Sequence, residues 1–405
     1  MKITPLFVLL YFVVQSTAAQ EKISSTDFLK MQMEKMQNEV MADLYSNIED
    51  EKFKAAFIDD IQIRTETNDF EFRKQQYRLR VSPTSIQLKQ TQEKLFEAYK
   101  RKYLKEIREI EERYLLTAYE AWIDNYIDAK KIEALRNSLD LKNKMLKDLM
   151  AQSENGSYSI SDHFKIKRSI SNNEFDLLRL EGENSFLQNE YPGLTSVSYD
   201  GMKSIAEVKN TVIQTEKSTS QYVNDHDKVI AKYELEEALR EKNKVFDYLQ
   251  GSYSGPHDDI FKERFSLELG IRLPLVGENK LEIYERRFEF EIEEIEQEIE
   301  RQAYLQESRE QREKLKNAIE RYEMKQAFIE SEAELHSKLK EVQISSGGTW
   351  EEYLEMEEVQ LANELDLIEA EEEVWERYLE YIEVEEMLQR ETKVDYLGKI
   401  ESEIE

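Results

Sequence analysis

The chain has 405 residues, no cysteine, and 86 Asp+Glu against 56 Lys+Arg, for a formal net charge of −30. The absence of cysteine excludes disulfides, thiolate metal sites and a cysteine nucleophile. The acidic excess argues against nucleic acid as a partner, because binding it needs a cationic surface. With 35% charged residues and only 11 Gly and 5 Pro, the composition favours long helices. A hydrophobic share of 40%, with 22 Tyr and 17 Phe, is too high for a disordered chain.

Residues 1–19 read as a secretory signal peptide: Lys2, an apolar run from Leu6 to Val14, then Ser16, Thr17, Ala18 and Ala19 before Gln20. After it no run of 18 apolar residues remains, so no spanning helix is expected. Residues 20–57 read as a polar helix. A strand pair follows over 58–82: Ile61 and Ile63 flank Gln62, residues 65–69 turn, and Tyr77, Leu79 and Val81 alternate with Arg78 and Arg80. From Ser85 to Gln152 there is neither Pro nor Gly, which predicts one helix of roughly 100 Å. Asn155 and Gly156 mark a tip turn near 154–160, and a returning helix runs over 161–187. The long helical hairpin is thus 85–187. Residues 191–204 form a connecting segment opened by Tyr191, Pro192 and Gly193, and helix resumes from 205 towards Lys244.

The second strand pair, 245–274, holds the clearest alternation in the chain. Phe265, Leu267, Leu269, Ile271 and Leu273 are apolar; Ser266, Glu268, Gly270 and Arg272 are not. Period-2 patterning marks a strand with one apolar and one polar face, and about 9–11 tilted residues suffice to cross a bilayer. A second long hairpin spans 281–392, with its tip turn near 344–349 at Gly347 and Gly348 and a last helix from Trp350. Residues 393–405 read as an acidic tail.

The two halves repeat. Pro83 to Gly156 and Pro274 to Gly347 are the same distance apart in sequence, and an offset of 190 aligns Asn173 with Asn363, Asp176 with Asp366 and Leu177 with Leu367. The expected fold is therefore mainly α with a small β part: a two-fold repeat (20–190 and 205–392) of strand pairs and very long helical hairpins. Four strands with open edges cannot sit in lipid, where every backbone N–H and C=O must be paired. A membrane reading therefore requires the edges to close with other copies.

The run from Phe265 through Leu273-Pro274-Leu275 to Lys280 resembles the second-half strand of the TolC-like outer-membrane efflux family. Gly348-Thr349-Trp350-Glu351-Glu352-Tyr353-Leu354-Glu355-Met356 resembles that family's second tip turn. Asn363, Leu367 and Ala370 continue the likeness, and Leu194 to Ser198 resembles the connection between halves. The resemblance spans roughly residues 58–390. It implies a homotrimer whose strands close one twelve-stranded β-barrel in outer-membrane lipid, with an α-helical tunnel in the periplasm. It also implies a periplasmic adaptor (membrane fusion) protein and an inner-membrane pump as partners, no cofactor, and no catalysis.

The same resemblance places Glu352 and Glu355 at an acidic gate, spaced so that both project from one helix face. In a trimer they would form stacked carboxylate rings that attract cations. Asp162 is the repeat partner of Glu352 and joins the candidate constriction. The alternative for these acids is a solvated face beside Glu351, Glu357 and Glu358. Trp350 and Gly348 shape the tip turn or serve as an ordinary core aromatic and helix cap. His163, His226, His257 and His336 are dispersed without metal-ligand spacing and read as surface residues. Glu371 to Glu373 and Glu383 to Glu386 read as solvated faces rather than cation sites. Asn155 to Ser157 matches a glycosylation sequon and reads as a turn. No Ser/His/Asp set, phosphate loop or HExxH motif occurs. The rival to an export channel is a secreted, periplasmic acidic coiled-coil scaffold.

Overall fold

The computed structural model describes residues 22–37, 47–48, 50–67, 75–152, 159–215, 225–254, 265–272, 280–346, 350–389, 394–399 and 403–404. Leu273, Asn155, Gly156, Gly347 and Gly348, the 1–19 segment and the sequon lie outside the described residues.

Seven helices and four strands order these residues: α1 (Ser25–Met36), β1 (Ile58–Thr67), β2 (Gln75–Pro83), α2 (Ile86–Gln152), α3 (Ile160–Glu190), α4 (Ile205–Thr215), α5 (His226–Lys242), β3 (Phe246–Ser254), β4 (Phe265–Ile271), α6 (Lys280–Ser346) and α7 (Trp350–Val384). α2 and α6 are each 67 residues long, as uninterrupted runs of helix-forming residues dictate. No described helix is long and apolar enough to cross a membrane.

The chain divides into two compact units. One comprises residues 36–113 and 218–311. It contains a four-stranded antiparallel sheet in the order β1-β2-β3-β4. Beside the sheet, residues 50–57, the start of α2, α5 and the start of α6 run in the same order. Phe53 stacks on Phe96 of α2 at 5.3 Å. Lys102 of α2 reaches Asp227 of α5 at 2.7 Å, and Arg286 of α6 reaches Glu234 of α5 at 2.9 Å.

The other unit comprises residues 1–35, 114–217 and 312–405. Its core gathers around the middle of α2. Phe28 of α1 packs on Trp122 at 5.4 Å and Tyr199 packs edge-on against the same indole at 5.6 Å. Tyr119, Trp122, Trp375, Tyr378 and Tyr381 are almost fully buried. Further along, Leu139, Met145 and Leu149 of α2, Ile166 and Ile170 of α3 and Leu354 of α7 form a second apolar cluster, with Trp350 and Tyr353 packed against it. Trp350 is thus half-buried against this cluster at the start of α7.

Several elements differ from expectation. The 20–57 stretch is not one helix: α1 ends at Met36, and residues 51–56 are non-helical. There, the Phe53–Phe96 stack and the Thr84 N–H bond to the Phe57 carbonyl (2.8 Å) draw the chain out towards β1. The helix read from 205 to 244 is two helices, α4 and α5. β4 ends at Ile271, and the Arg272 N–H then bonds the Val245 carbonyl at 2.9 Å. α7 ends at Val384 rather than near 392, because Glu386 turns left-handed (φ 48°) into a short 3₁₀ turn at Met387–Gln389.

The acidic tail is not a solvated tail. Asp395, Tyr396, Leu397 and Ile404 are buried, and bridges join Met202 to Gly398 and Val394 to Glu403. Asp395 accepts hydrogen bonds from Ser25 Oγ (2.6 Å), Thr26 Oγ1 (2.9 Å) and the Leu397 N–H (2.9 Å). A buried carboxylate needs such donors, and the two hydroxyls lie some 370 positions away in the sequence.

Candidate functional site

The sheet register sorts its side chains into two faces. Ile61, Ile63 and Thr65 of β1 pair with Val81, Leu79 and Tyr77 of β2. Those three pair with Leu249, Gly251 and Tyr253 of β3, which pair in turn with Leu269, Leu267 and Phe265 of β4. Directly opposed residues share a face, so all these side chains lie on one side. That side is apolar and open: Ile63 is 74% exposed, Leu79 47% and Leu267 77%. At one end, Tyr77, Tyr253 and Phe265 form an aromatic row with centroids 6.4 and 4.9 Å apart.

The opposite face carries Gln62, Arg64, Gln76, Arg78, Arg80, Gln250, Ser252, Ser266 and Glu268. Its charges are satisfied within the sheet. Arg80 lies over the Tyr248 ring at 3.7 Å and reaches Asp247 at 3.4 Å; Arg78 reaches Glu66 at 3.2 Å. Tyr248 Oη and Gln250 Nε2 both donate to Glu268, at 2.7 and 3.0 Å. A soluble sheet hides its apolar face against a core; here that face is left open. The arginines that make β2 look too polar for lipid all point to the other side. Phe265, Leu267, Leu269 and Ile271 are exposed, and Ile271 sits past a register shift.

The second group of candidate residues surrounds the start of α7. Ser159 caps α3 by accepting the Asp162 N–H at 3.3 Å, which places Asp162 in the first helical turn. Lys165, one turn on, forms a salt bridge with Glu351. That hydrogen bond holds the ammonium above its ordinary pKa, and the charges of Asp162 and Glu355 add to the field. Ser169 Oγ donates to Glu358 at 2.5 Å. Glu357 is buried, and with Glu358 it faces the nearly inaccessible Lys142 of α2. Burial lowers the Lys142 pKa, and the two glutamates oppose that shift.

These contacts separate the acids that the sequence runs together. Glu351 and Glu358 are turned towards α3, and Glu357 towards α2. Leu354 and Tyr353 enter the apolar cluster. Glu352 and Glu355 are left on the exposed side of α7. Lys165 and Lys142 were not legible as site residues, because their partners are about 190 and 215 positions away.

The acidic runs further along α7 are not simple solvated faces. Glu371 is buried and accepts from Tyr126 Oη (2.7 Å) and Lys130 Nζ (2.6 Å). Glu372 meets Lys131 at 2.7 Å, and buried Glu385 meets Arg312 at 3.4 Å. The charge pattern registers α7 on its neighbours. Beside it, a cleft of about 350 Å³ is lined by Glu120 and Asp124 of α2 and Glu376, Glu380 and Glu383 of α7. His163 and His226 are half-buried rather than fully exposed.

No family model matches the sequence, and no curated relative does. Solved structures do match. The open-state MtrE outer-membrane channel of Neisseria gonorrhoeae superposes with a TM-score of 0.56 at 11% identity, over 89% of this chain and 88% of that one. A CusC structure that addresses folding and transmembrane channel formation gives 0.54 at 10%, over 88% of each chain. The CmeC outer-membrane channel of Campylobacter jejuni gives 0.51 at 10%, over 90% of this chain and 83% of that one. Together with the element order and the sheet described above, these matches show that the chain has a TolC-like fold, shared with these outer-membrane channel structures.

Proposed function

We propose that the chain is one protomer of a passive outer-membrane export channel. The observation that carries this reading is the inverted sheet: an open face built mainly of apolar and aromatic residues, backed by the face that carries Arg64, Arg78, Arg80 and Glu268. Outer-membrane barrels show this arrangement, with lipid outside and water inside. The Tyr77–Tyr253–Phe265 row fits the aromatic girdle at a membrane surface.

The open edges of β1 and β4 close in a ring of copies. β1 and β4 run antiparallel to each other, so β4 of one copy pairs with β1 of the next while every copy points the same way. Three copies give the twelve-stranded barrel of a homotrimer. The repeats 20–190 and 205–392 then supply the periplasmic helical tunnel. Glu352 and Glu355, with Asp162 nearby, form a cation-attracting constriction at the tip turns. An adaptor protein and an inner-membrane pump supply direction and energy, and small molecules or proteins are the cargo.

Cell fractionation tests this against the rival scaffold. An outer-membrane channel is recovered with the outer membrane, requires detergent for extraction and then runs as three copies by native mass spectrometry. Recovery as a soluble periplasmic protein without detergent would contradict it.

A further inference from the structure

The row of elements beside the sheet has two uncovered ends, and they differ in charge. One end is α6. Its half-buried stripe, Ile283, Arg286, Phe290, Glu293 and Gln297, faces α5, where Arg286 meets Glu234 at 2.9 Å and Lys228 meets Glu294 at 2.9 Å. On the opposite side of the helix, Leu281, Tyr284, Phe288, Ile292, Ile295 and Ile299 form a ladder at three- and four-residue steps. Every rung is at least 52% exposed. Glu282, Glu285, Glu289 and Glu296 line one side of the ladder, and Glu291 and Glu298 the other. Arg287 interrupts the second side and is itself paired with Glu291 at 3.2 Å.

This is a coiled-coil seam with acid on both flanks. Two copies of it cannot pair, because glutamates would face glutamates along its length. The other end of the row is the segment 50–57, which leans on α2 through Phe53 on Phe96 and Lys89 over Phe57 (3.9 Å). Lys52 and Lys54, on either side of Phe53 in the sequence, are exposed, and Phe53 and Phe57 keep 45% and 62% of their surface open despite their contacts with α2.

We propose that the α6 ladder is covered by the 50–57 segment of the next copy in the ring. The inference rests on the ring closure proposed above and extends it from the strands to the helical wall. Sheet order fixes the match: α6 follows β4, residues 50–57 precede β1, and β4 of one copy meets β1 of the next. Phe53 and Phe57 meet Leu281, Tyr284 and Phe288, while Lys52 and Lys54 meet the flanking glutamates. Because the two surfaces differ, the contact is head-to-tail and builds a closed ring rather than a two-fold dimer.

The chain's lack of cysteine makes the test clean. A Y284C/F57C double variant and an F288C/F53C double variant are purified in detergent and treated with a short bismaleimide. Each is expected to give a covalent ring on a denaturing gel, while the four single variants stay monomeric. An I63C/L267C variant reports β1–β4 closure separately. If that pair cross-links and the helix pairs do not, the ladder proposal falls and the barrel stands. If no pair cross-links, both fall. A dimer from Tyr284→Cys or Phe288→Cys alone would show the ladder pairing with itself and would overturn the proposal.

Discussion

α2 and α6 are both 67 residues long, and each follows a strand pair in its half of the chain. Their apolar side chains meet different fates. α2 buries Leu115, Tyr119, Trp122, Ile127, Leu135, Met145 and Leu149 within its own protomer. α6 buries Leu315, Ala318 and Ile319 among its described side chains, yet leaves Phe288, Ile292, Ile295, Ile299, Met324 and Phe328 more than half exposed. The two helices share their length without sharing what covers them. Exposed apolar stripes of this extent mark interaction surfaces. α2 is therefore the inner support of a protomer and α6 the helix that carries an uncovered face.

The comparison breaks first at α2. Trp122→Ala is expected to cost about 3–5 kcal/mol, because it removes one of the two largest fully buried side chains and the seat of Phe28 and Tyr199. A urea midpoint close to wild type would show that the α2 core is not what holds the protomer. Asp395→Ala leaves the Ser25 and Thr26 hydroxyls and the Leu397 N–H without their acceptor and should cost about 2–3 kcal/mol by the same measurement.

A smaller effect depends on pH. Burial pushes the Asp128 carboxyl up to about 6, with Lys131 opposing the shift and Asp124, Glu183 and Glu372 reinforcing it. Burial also raises Glu120, Asp124 and Glu376, helped respectively by Glu383, Glu372 and Glu372. A raised carboxyl binds its proton more tightly in the folded than in the unfolded chain. Each therefore destabilises the fold as pH rises through its titration; for Asp128 the penalty grows from about pH 4 to about 6 and is fully present above that window. At pH 7, Asp128→Asn should stabilise by no more than about 1 kcal/mol, since the site is partly hydrated. The gain should vanish below about pH 4. A pH-independent gain would point to packing instead.

The smallest effect on protomer stability is expected at α6. Ile292→Ser should change the urea midpoint of the isolated protomer by less than about 0.5 kcal/mol. It should nevertheless lower the fraction of assembled ring seen by native mass spectrometry. A large loss of protomer stability would mean that α6 is covered from within, as α2 is.

The long helices are legible because nothing in them breaks helix: the run 85–152 is Ile86–Gln152, and the first arm of the 281–392 hairpin is Lys280–Ser346. Phe265 to Ile271 was legible by alternation. β2 was harder, since Arg78 and Arg80 look wrong for lipid until the register places both on the polar face. The burial of Asp395 was not legible, because an acidic stretch reads as solvated and its hydroxyl donors lie at the other end of the sequence. At the candidate constriction, the spacing of Glu352 and Glu355 placed them on one face. Only the structure separates them from Glu351, Glu357 and Glu358, because the partners Lys165, Lys142 and Ser169 are distant in sequence.

The central claim is an open conduit whose narrowest charge is acidic. Reversal potentials in a planar lipid bilayer under a salt gradient test it most directly. The account predicts a stable, cation-selective conductance, with selectivity reduced in the Glu352→Ala/Glu355→Ala double variant and no comparable loss when Glu357 alone becomes Gln. No conductance from correctly assembled protein, or cation selectivity unchanged in the double variant, would contradict it.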